Sequence, residues 1–111
     1  MKENRPWGFY RVIEDSDNYK IKYIYVDSNK RLSLQKHSQR EEHWTIISGF
    51  SHITIENIKR TYGPGDSIFI PKGSLHRIEA LGHPVEFIEV QTGTYFGEDD
   101  IIRVEDDYGR N

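Results

Sequence analysis

Turn-forming residues cut this chain of 111 residues into short pieces. Asp27-Ser28-Asn29, Ser48-Gly49, Gly63-Pro64-Gly65-Asp66, Pro71-Lys72-Gly73 and Gly82-His83-Pro84 lie between short runs that recur at roughly ten-residue spacing, which suits strands and leaves few windows for a helix. The runs between them favour β-branched and aromatic residues. Tyr19–Val26 (YKIKYIYV) is the clearest, and Arg31–His37 alternates less cleanly. Trp44–Ile47, His52–Ile55, Ser67–Ile70, His76–Glu79 and Val85–Gln91 are further short runs. Many short strands at this spacing predict an all-β sandwich or barrel. One short helix is predicted over Gly97–Val104, where Glu98, Asp99 and Asp100 would suit the positive end of a helix dipole. Arg5-Pro6-Trp7-Gly8 reads as an extended arm that lays its Trp on the barrel. The expected organisation is a single domain over 1–111, with an N-terminal arm (1–18), a barrel core (19–92) and a C-terminal segment (93–111).

Composition narrows the function. Lys and Arg total 15 against 18 Asp and Glu, a net charge of −3. No general basic face is available to neutralise nucleic-acid phosphates, although a local pocket for one small anion fits within that charge. With no cysteine, disulfide scaffolds, thiolate metal sites and cysteine nucleophiles are excluded. No apolar run approaches the ~20 residues of a membrane helix. The charged start, Met1 to Pro6, has no apolar stretch behind it, so no signal peptide and a cytoplasmic location are expected. An aromatic share of 13% lets a small core bury enough area.

The chemistry concentrates in two stretches. Gln35 and His37 stand two apart, so on a strand they share a face. Glu42 follows after a short connection, and His76 follows the Pro71–Leu75 turn. Two imidazoles, one carboxylate and one amide oxygen form a mixed N/O set for one divalent ion: Zn, Mn, Fe, Co or Ni. His52 and His83 lack such surroundings and read as ordinary residues. If Glu42 points inward, His43 points outward.

These stretches resemble the two motifs of the cupin superfamily. Asn29, Gln35, His37, Glu42 and Gly49 fall at the positions of the first motif. Gly65, Pro71, Gly73, His76 and Ala80 fall at those of the second. Asn29 stands where the motif has Gly, Gln35 where it has His, and Ala80 where it has Asn. Asn tolerates the left-handed turn that Gly provides. The likeness implies a double-stranded β-helix, or jelly-roll barrel.

A closer resemblance is to the type II mannose-6-phosphate isomerase domain. It rests on Arg5-Pro6-Trp7-Gly8, on Leu32 to Trp44 with its QxHxxRxEHW signature, on Ile88 to Gly93, on Gly97 to Ile101 and on Asp107 to Arg110. In that family Gln is the expected residue at the position of Gln35. The resemblance implies metal-dependent interconversion of mannose 6-phosphate and fructose 6-phosphate through an enediol, with Gln35, His37, Glu42 and His76 on the metal. Such domains usually end a bifunctional enzyme that is also a mannose-1-phosphate guanylyltransferase. This chain has no Gly-rich nucleotide loop, so no guanylyltransferase activity is expected, and mannose supply for surface polysaccharide fits the family.

Glu89, His43 and Lys22 are the candidates for the proton-transferring group, and Arg40 would place a guanidinium beside the metal. Ser33 and Gln91 are candidates for binding the substrate, and Arg40, Arg31, Lys22 and Arg103 for its phosphate, Arg31 because it precedes Gln35 by four residues on the same strand face. Arg103 has a competing reading as a partner of the acidic tail. Trp7 and Trp44 read as packing residues. Two alternatives stand beside the isomerase: a non-catalytic cupin that binds a sugar phosphate or nucleotide-sugar, and another cupin enzyme such as an epimerase or dioxygenase. A homodimer through the aromatic Tyr19–Val26 strand is expected, because small barrels leave an edge or apolar face to cover.

Overall fold

The computed structural model describes all 111 residues and is built wholly from strands. They are β1 (Lys2–Arg5), β2 (Gly8–Asp15), β3 (Tyr19–Val26), β4 (Leu34–Lys36), β5 (Arg40–Ser48), β6 (Ser51–Ile55), β7 (Ile58–Tyr62), β8 (Ser67–Ile70), β9 (His76–Ala80), β10 (Val85–Gly93) and β11 (Ile102–Glu105). Six make one antiparallel sheet in the order β1-β2-β3-β10-β5-β8, and five make the other in the order β11-β4-β9-β6-β7. The inner faces of the two sheets enclose a core of 14 buried residues, among them Trp7, Ile24, Trp44, Ile46, Ile78 and Phe87.

Alternation explains which side chains reach that interior. Along β10, Val85, Phe87, Glu89 and Gln91 point inward, and Glu86, Ile88, Val90 and Thr92 point outward. The inward rows change character along their length. Phe87 lies opposite Ile24 and Ile46, whereas Glu89 lies opposite Lys22 and Trp44, and Gln91 opposite Lys20 and Glu42. One end of the barrel is therefore an apolar plug and the other a polar cup. Asn29 adopts φ 62°, the left-handed turn expected of it, and its N–H donates to Leu81 O.

Three expectations need correction. The Gly97–Val104 helix is absent. Residues 97–100 form a turn and Ile102–Glu105 form β11, where β-branched Ile102 and Val104 face outward from an edge strand. The acidic run stabilises a loop instead, since the Asp100 carboxylate accepts from Ser38 N–H, Ser38 O–H and Gln39 N–H. Residues 1–18, expected as an extended arm, form the β1–β2 hairpin that extends the six-stranded sheet, and Trp7 packs on the core as expected. Finally, of the edge or apolar face by which the Tyr19–Val26 strand was expected to meet a second copy, β3 offers only a face. It is paired on both sides, by β2 and β10, so its backbone cannot take a second chain. Tyr23 and Tyr25 face outward beside Phe9, Tyr25 stacking on it at 5.0 Å.

Candidate active site

The polar cup gathers its groups from both sheets. β5 turns Arg40, Glu42 and Trp44 inward. β4 presents Gln35, which pairs in register with His76 at the start of β9. His37 lies just beyond β4 and is buried, as are Glu42 and His76. The His37, Glu42 and His76 ligand atoms all lie within 4.8 Å of one another. His37 Nε2 is 3.4 Å from Glu42 Oε2, and His76 Nε2 is 3.9 Å from Glu42 Oε1. Two ligand atoms bound to one ion at ~2.1 Å can be at most ~4.2 Å apart, so these two spacings fit a shared cation.

Hydrogen bonds aim the imidazoles. His37 Nδ1 lies 2.7 Å from Asp100 O, and His76 Nδ1 lies 2.9 Å from Ser74 O. A carbonyl can only accept, so each Nδ1 carries the proton and each Nε2 keeps its lone pair for the centre. His76 Nε2 is buried with no hydrogen-bond partner. An orphaned lone pair beside a carboxylate and a second imidazole is what a bound cation would satisfy, and the donor set suits it. Burial, with the charge of Arg40 behind it, lowers the His37 pKa to about 4, and burial lowers that of His76. Both rings are therefore neutral at pH 7, the form that ligates.

Glu42 is held at both oxygens. Trp44 Nε1–H donates to Oε1 at 3.0 Å, and Arg40 Nε–H donates to Oε2 at 3.0 Å. Arg40 Nη2 also lies 3.3 Å from His37 Nε2, a contact that a cation on that lone pair would replace. Gln35 lines the same cavity, with its Oε1 accepting from Ser33 O–H at 3.3 Å.

Glu89 stands on the adjacent wall. Burial, reinforced by the nearby Glu42 charge, pushes its pKa up to about 7. Gln91 Nε2–H donates to Glu89 Oε2 at 2.6 Å. Lys22, 4% exposed, faces it across the register, with its ammonium 3.0 Å from Glu98 and 4.2 Å from the Tyr10 ring centroid.

Of the residues singled out from sequence, Lys22, Ser33, Gln35, His37, Arg40, Glu42, Glu89 and Arg103 line this cavity. His76 does not line it but reaches Glu42 at 3.9 Å, and Gln91 is fully buried next to Glu89. Arg31 is elsewhere: Asp107 binds its guanidinium at 2.7 and 2.8 Å on the outer side of the barrel. The segment before β4 is irregular, with Leu32 and Ser33 both buried, so counting alternation from Arg31 to Gln35 fails. His43 is exposed against Phe69, as alternation required. Sequence reasoning gave no role to Arg5, Glu98 or Arg110, which also line the cavity, nor to the Asp100 clamp. Arg5-Pro6-Trp7-Gly8 and Gly97 to Ile101 were visible as motifs, but nothing local said that they close on the cup.

A family model described as mannose-6-phosphate isomerase C-terminal matches residues 1–106. The chain belongs to that family. This isomerase-family chain is 42% identical over 107 residues to mannose-1-phosphate guanylyltransferase of Escherichia coli K12, covering 96% of the chain and 22% of the relative. It is 44% identical over 107 residues to the alginate biosynthesis protein AlgA of Pseudomonas aeruginosa, again covering 96% and 22%. It thus spans about a fifth of the length of the curated relatives it matches. Among solved structures it resembles oxalate decarboxylase from Bacillus subtilis, with a TM-score of 0.85 at 22% identity over 94% of the chain and 30% of that one. It also resembles the Schizosaccharomyces pombe Cnp3 cupin domain, with a TM-score of 0.74 at 9% identity over 77% and 64%. At these identities the likeness shows the fold, and the fold of this mannose-6-phosphate isomerase family member is the cupin double-stranded β-helix. No helix is long and apolar enough to cross a membrane.

Proposed function

We propose that the cup isomerises mannose 6-phosphate and fructose 6-phosphate, with Gln35, His37, Glu42 and His76 holding one divalent ion. The observation that carries this reading is the pairing of a neutral, aimed His37–Glu42–His76 cluster with a buried carboxyl of near-neutral pKa on the adjoining wall. When bound, the ion supplies Lewis acidity for the negative charge that develops on the sugar oxygens during enolisation. The chain's own residues do the rest. Glu89, ionised in a substantial fraction at pH 7, takes the proton from C2 and returns it to C1, a task that needs a pKa near the working pH, while the hydroxyl proton that O2 gives up is balanced by the one that O1 gains. Gln91 steadies the Glu89 carboxyl through its 2.6 Å hydrogen bond. Arg40 and Trp44 fix both oxygens of Glu42, so that carboxylate keeps one orientation. Lys22 offers N–H donors to a substrate oxygen, and the core behind Trp44 keeps bulk water from the back of the cup.

The reading is tested by supplying mannose 6-phosphate with Zn, Mn, Fe, Co or Ni and coupling fructose 6-phosphate to a reporter. Turnover is expected, with Glu89→Gln abolishing it while metal affinity persists. No product with any of these ions refutes it. Arg40 Nη2 on His37 Nε2 favours a second reading, a metal-free cupin that only binds a sugar phosphate, and binding without turnover would select it. For assembly we propose a homodimer through the outer face of the six-stranded sheet, where Ile21, Tyr23, Ile88 and Phe69 keep part of their surface exposed. A monomeric mass in solution scattering at micromolar concentration contradicts that assembly.

A further inference from the structure

Five cationic side chains line the cup, and three have carboxylate partners. Lys22 pairs with Glu98, Arg40 with Glu42, and Arg110 with Asp106. Arg5 and Arg103 have none. Arg5 donates only to neutral acceptors, Asn4 O and Tyr10 Oη. The Arg103 side chain makes no hydrogen bond, and its Nε–H is buried without an acceptor. Burial, and then the Arg110 charge, disfavour its charged form, with a smaller push from Arg5, and they outweigh the Asp106 and Glu98 carboxylates that favour it. A guanidinium carries five donors and is costly to bury unpaired. Such a group, aimed into a cavity beside two other arginines, lacks an anion.

Register fixes where that anion would sit. Arg103 of β11 lies opposite Gln35 of β4, which lies opposite His76 of β9. The three stand in one row across the sheet, and two strand spacings, ~10 Å, separate the Arg103 and His76 backbones. The arginine end and the histidine end are thus the two ends of one trough.

We propose that Arg103 and Arg5, with the guanidinium N–H groups of Arg110 that Asp106 leaves free, seat the phosphoryl group of the substrate. The identity of the ligand as a sugar phosphate rests on the isomerase reading above; the anion seat itself does not. Planar guanidinium forks match phosphate oxygens two at a time, and a dianion supplies the charge that two unpaired arginines lack. The seat sets polarity: the phosphate end of the sugar lies at Arg103 and the C1–C2 end at His37, Glu42 and His76. It also gives the terminal segments a task, because Arg5 enters from the β1–β2 hairpin and Arg110 from the last residues.

The test titrates the metal-free 111-residue chain with inorganic phosphate by calorimetry, so that no bound metal can be the anion's partner. Saturable binding is expected. Arg103→Gln should weaken it ~10- to 100-fold, the loss of charge-assisted hydrogen bonds to one group, and Arg103→Lys should restore part of it. Arg5→Gln should weaken it in the same direction and serves if Arg103→Gln does not fold. Zinc affinity, read by chelator competition, should stay within threefold in both. The KM for mannose 6-phosphate should rise by the factor seen for phosphate. Absence of phosphate binding, or parental binding in the folded glutamine variants, overturns the seat. Turnover with a KM unmoved by Arg103→Gln overturns the seat and leaves the isomerase reading standing. Arginine-dependent phosphate binding without turnover does the reverse.

Discussion

Glu42 ties the stability of the barrel to the metal-binding cup, and its ion pair with Arg40 lets the two be measured apart. Its carboxylate is 2% exposed and is the only ion-pair partner of Arg40, itself 5% exposed. Glu42→Gln keeps an oxygen for the Trp44 N–H and removes the charge alone. Stranding one member of a buried pair costs ~3–5 kcal/mol, and Arg40 borders a cavity that water can enter, so the lower figure applies. For 111 residues the unfolding entropy is ~0.23 kcal/mol/K, so ~3 kcal/mol corresponds to a fall of ~13 °C in Tm. Glu89 cannot replace the lost charge at pH 5.5, because burial, the larger cause of its pKa of about 7, remains in the variant. The Arg40→Met/Glu42→Gln double variant removes both charges and should recover to within ~1 kcal/mol of the parent, as replaced buried pairs often do. Neither variant should gain Tm from added Zn or Mn, whereas the parent at 100 times its dissociation constant should gain ~2.7 kcal/mol of stability. Scanning calorimetry of the three proteins with and without metal checks all of this. A Glu42→Gln Tm within 3 °C of the parent, or a double variant no better than the single one, would refute the argument that Arg40 and Glu42 are a desolvated pair.

Glu89 makes a pH signature. Its folded pKa, about 7, exceeds its ordinary value of 4.5, so between those limits the folded state binds more protons than the unfolded state and loses stability as pH rises. His37, lowered to about 4, gains stability as pH rises over an overlapping window, so the parent shows only the difference. The stability of Glu89→Gln relative to the parent should therefore grow from pH 5 to pH 8 in urea melts, and a constant offset would count against a buried, near-neutral Glu89. Asp100→Ala loses three hydrogen bonds to Ser38 and Gln39 and loosens the carbonyl that holds His37 Nδ1. Zinc affinity should fall 10- to 100-fold, the usual effect of losing the support behind a ligand, and unchanged affinity would show that the clamp does not orient His37. Gly93 has φ 153°, and a Cβ there would meet Gln39 O at 2.4 Å and Arg40 Cα at 2.8 Å. Gly93→Ala should cost ~2–3 kcal/mol and weaken zinc binding too, because the backbone that yields is the one carrying Arg40. A loss of stability with full zinc affinity would confine the strain to the loop.

The parts of the fold legible in the sequence were those where alternation coincides with burial. The β3, β5, β8 and β10 segments bury every second residue, apolar toward one end of the barrel and polar toward the other, and each shows at least in part as a run in the chain alone. β7 (IKRTY) was not. It is an edge strand exposed along four of its five residues, and Lys59 and Arg60 are typical of edges that must not pair further. Its pairing with β6 is the only reason it is a strand, and that is non-local information. β11 was misread for the same reason from the other side. Its acidic approach suits a helix terminus, but those carboxylates are spent on Ser38, Gln39 and Lys22, sixty or more residues away in sequence.

The site divides along the same line. The approach of Gln35, His37 and Glu42 to one another was legible because two-residue spacing and one short turn separate them, whereas His76 lies far along the chain and joined them through the turn before it and the motif resemblance. The arginine end was not, because Arg5, Arg103 and Arg110 converge only when both terminal segments close on the barrel. Arg103 shows why composition could not substitute for the fold. Six acidic residues surround it in sequence, from Glu98 to Asp107, and pairing with one of them was a fair expectation. On β11, however, alternation turns Arg103 inward and Ile102 and Val104 outward. Asp106 is taken by Arg110, Asp107 by Arg31, Glu105 by Arg77 and Glu98 by Lys22. Asp100 is taken by Ser38 and Gln39 and Asp99 by Tyr95, so the acidic run is used up on other partners, and the one arginine in its midst reaches the cup with its side-chain donors free.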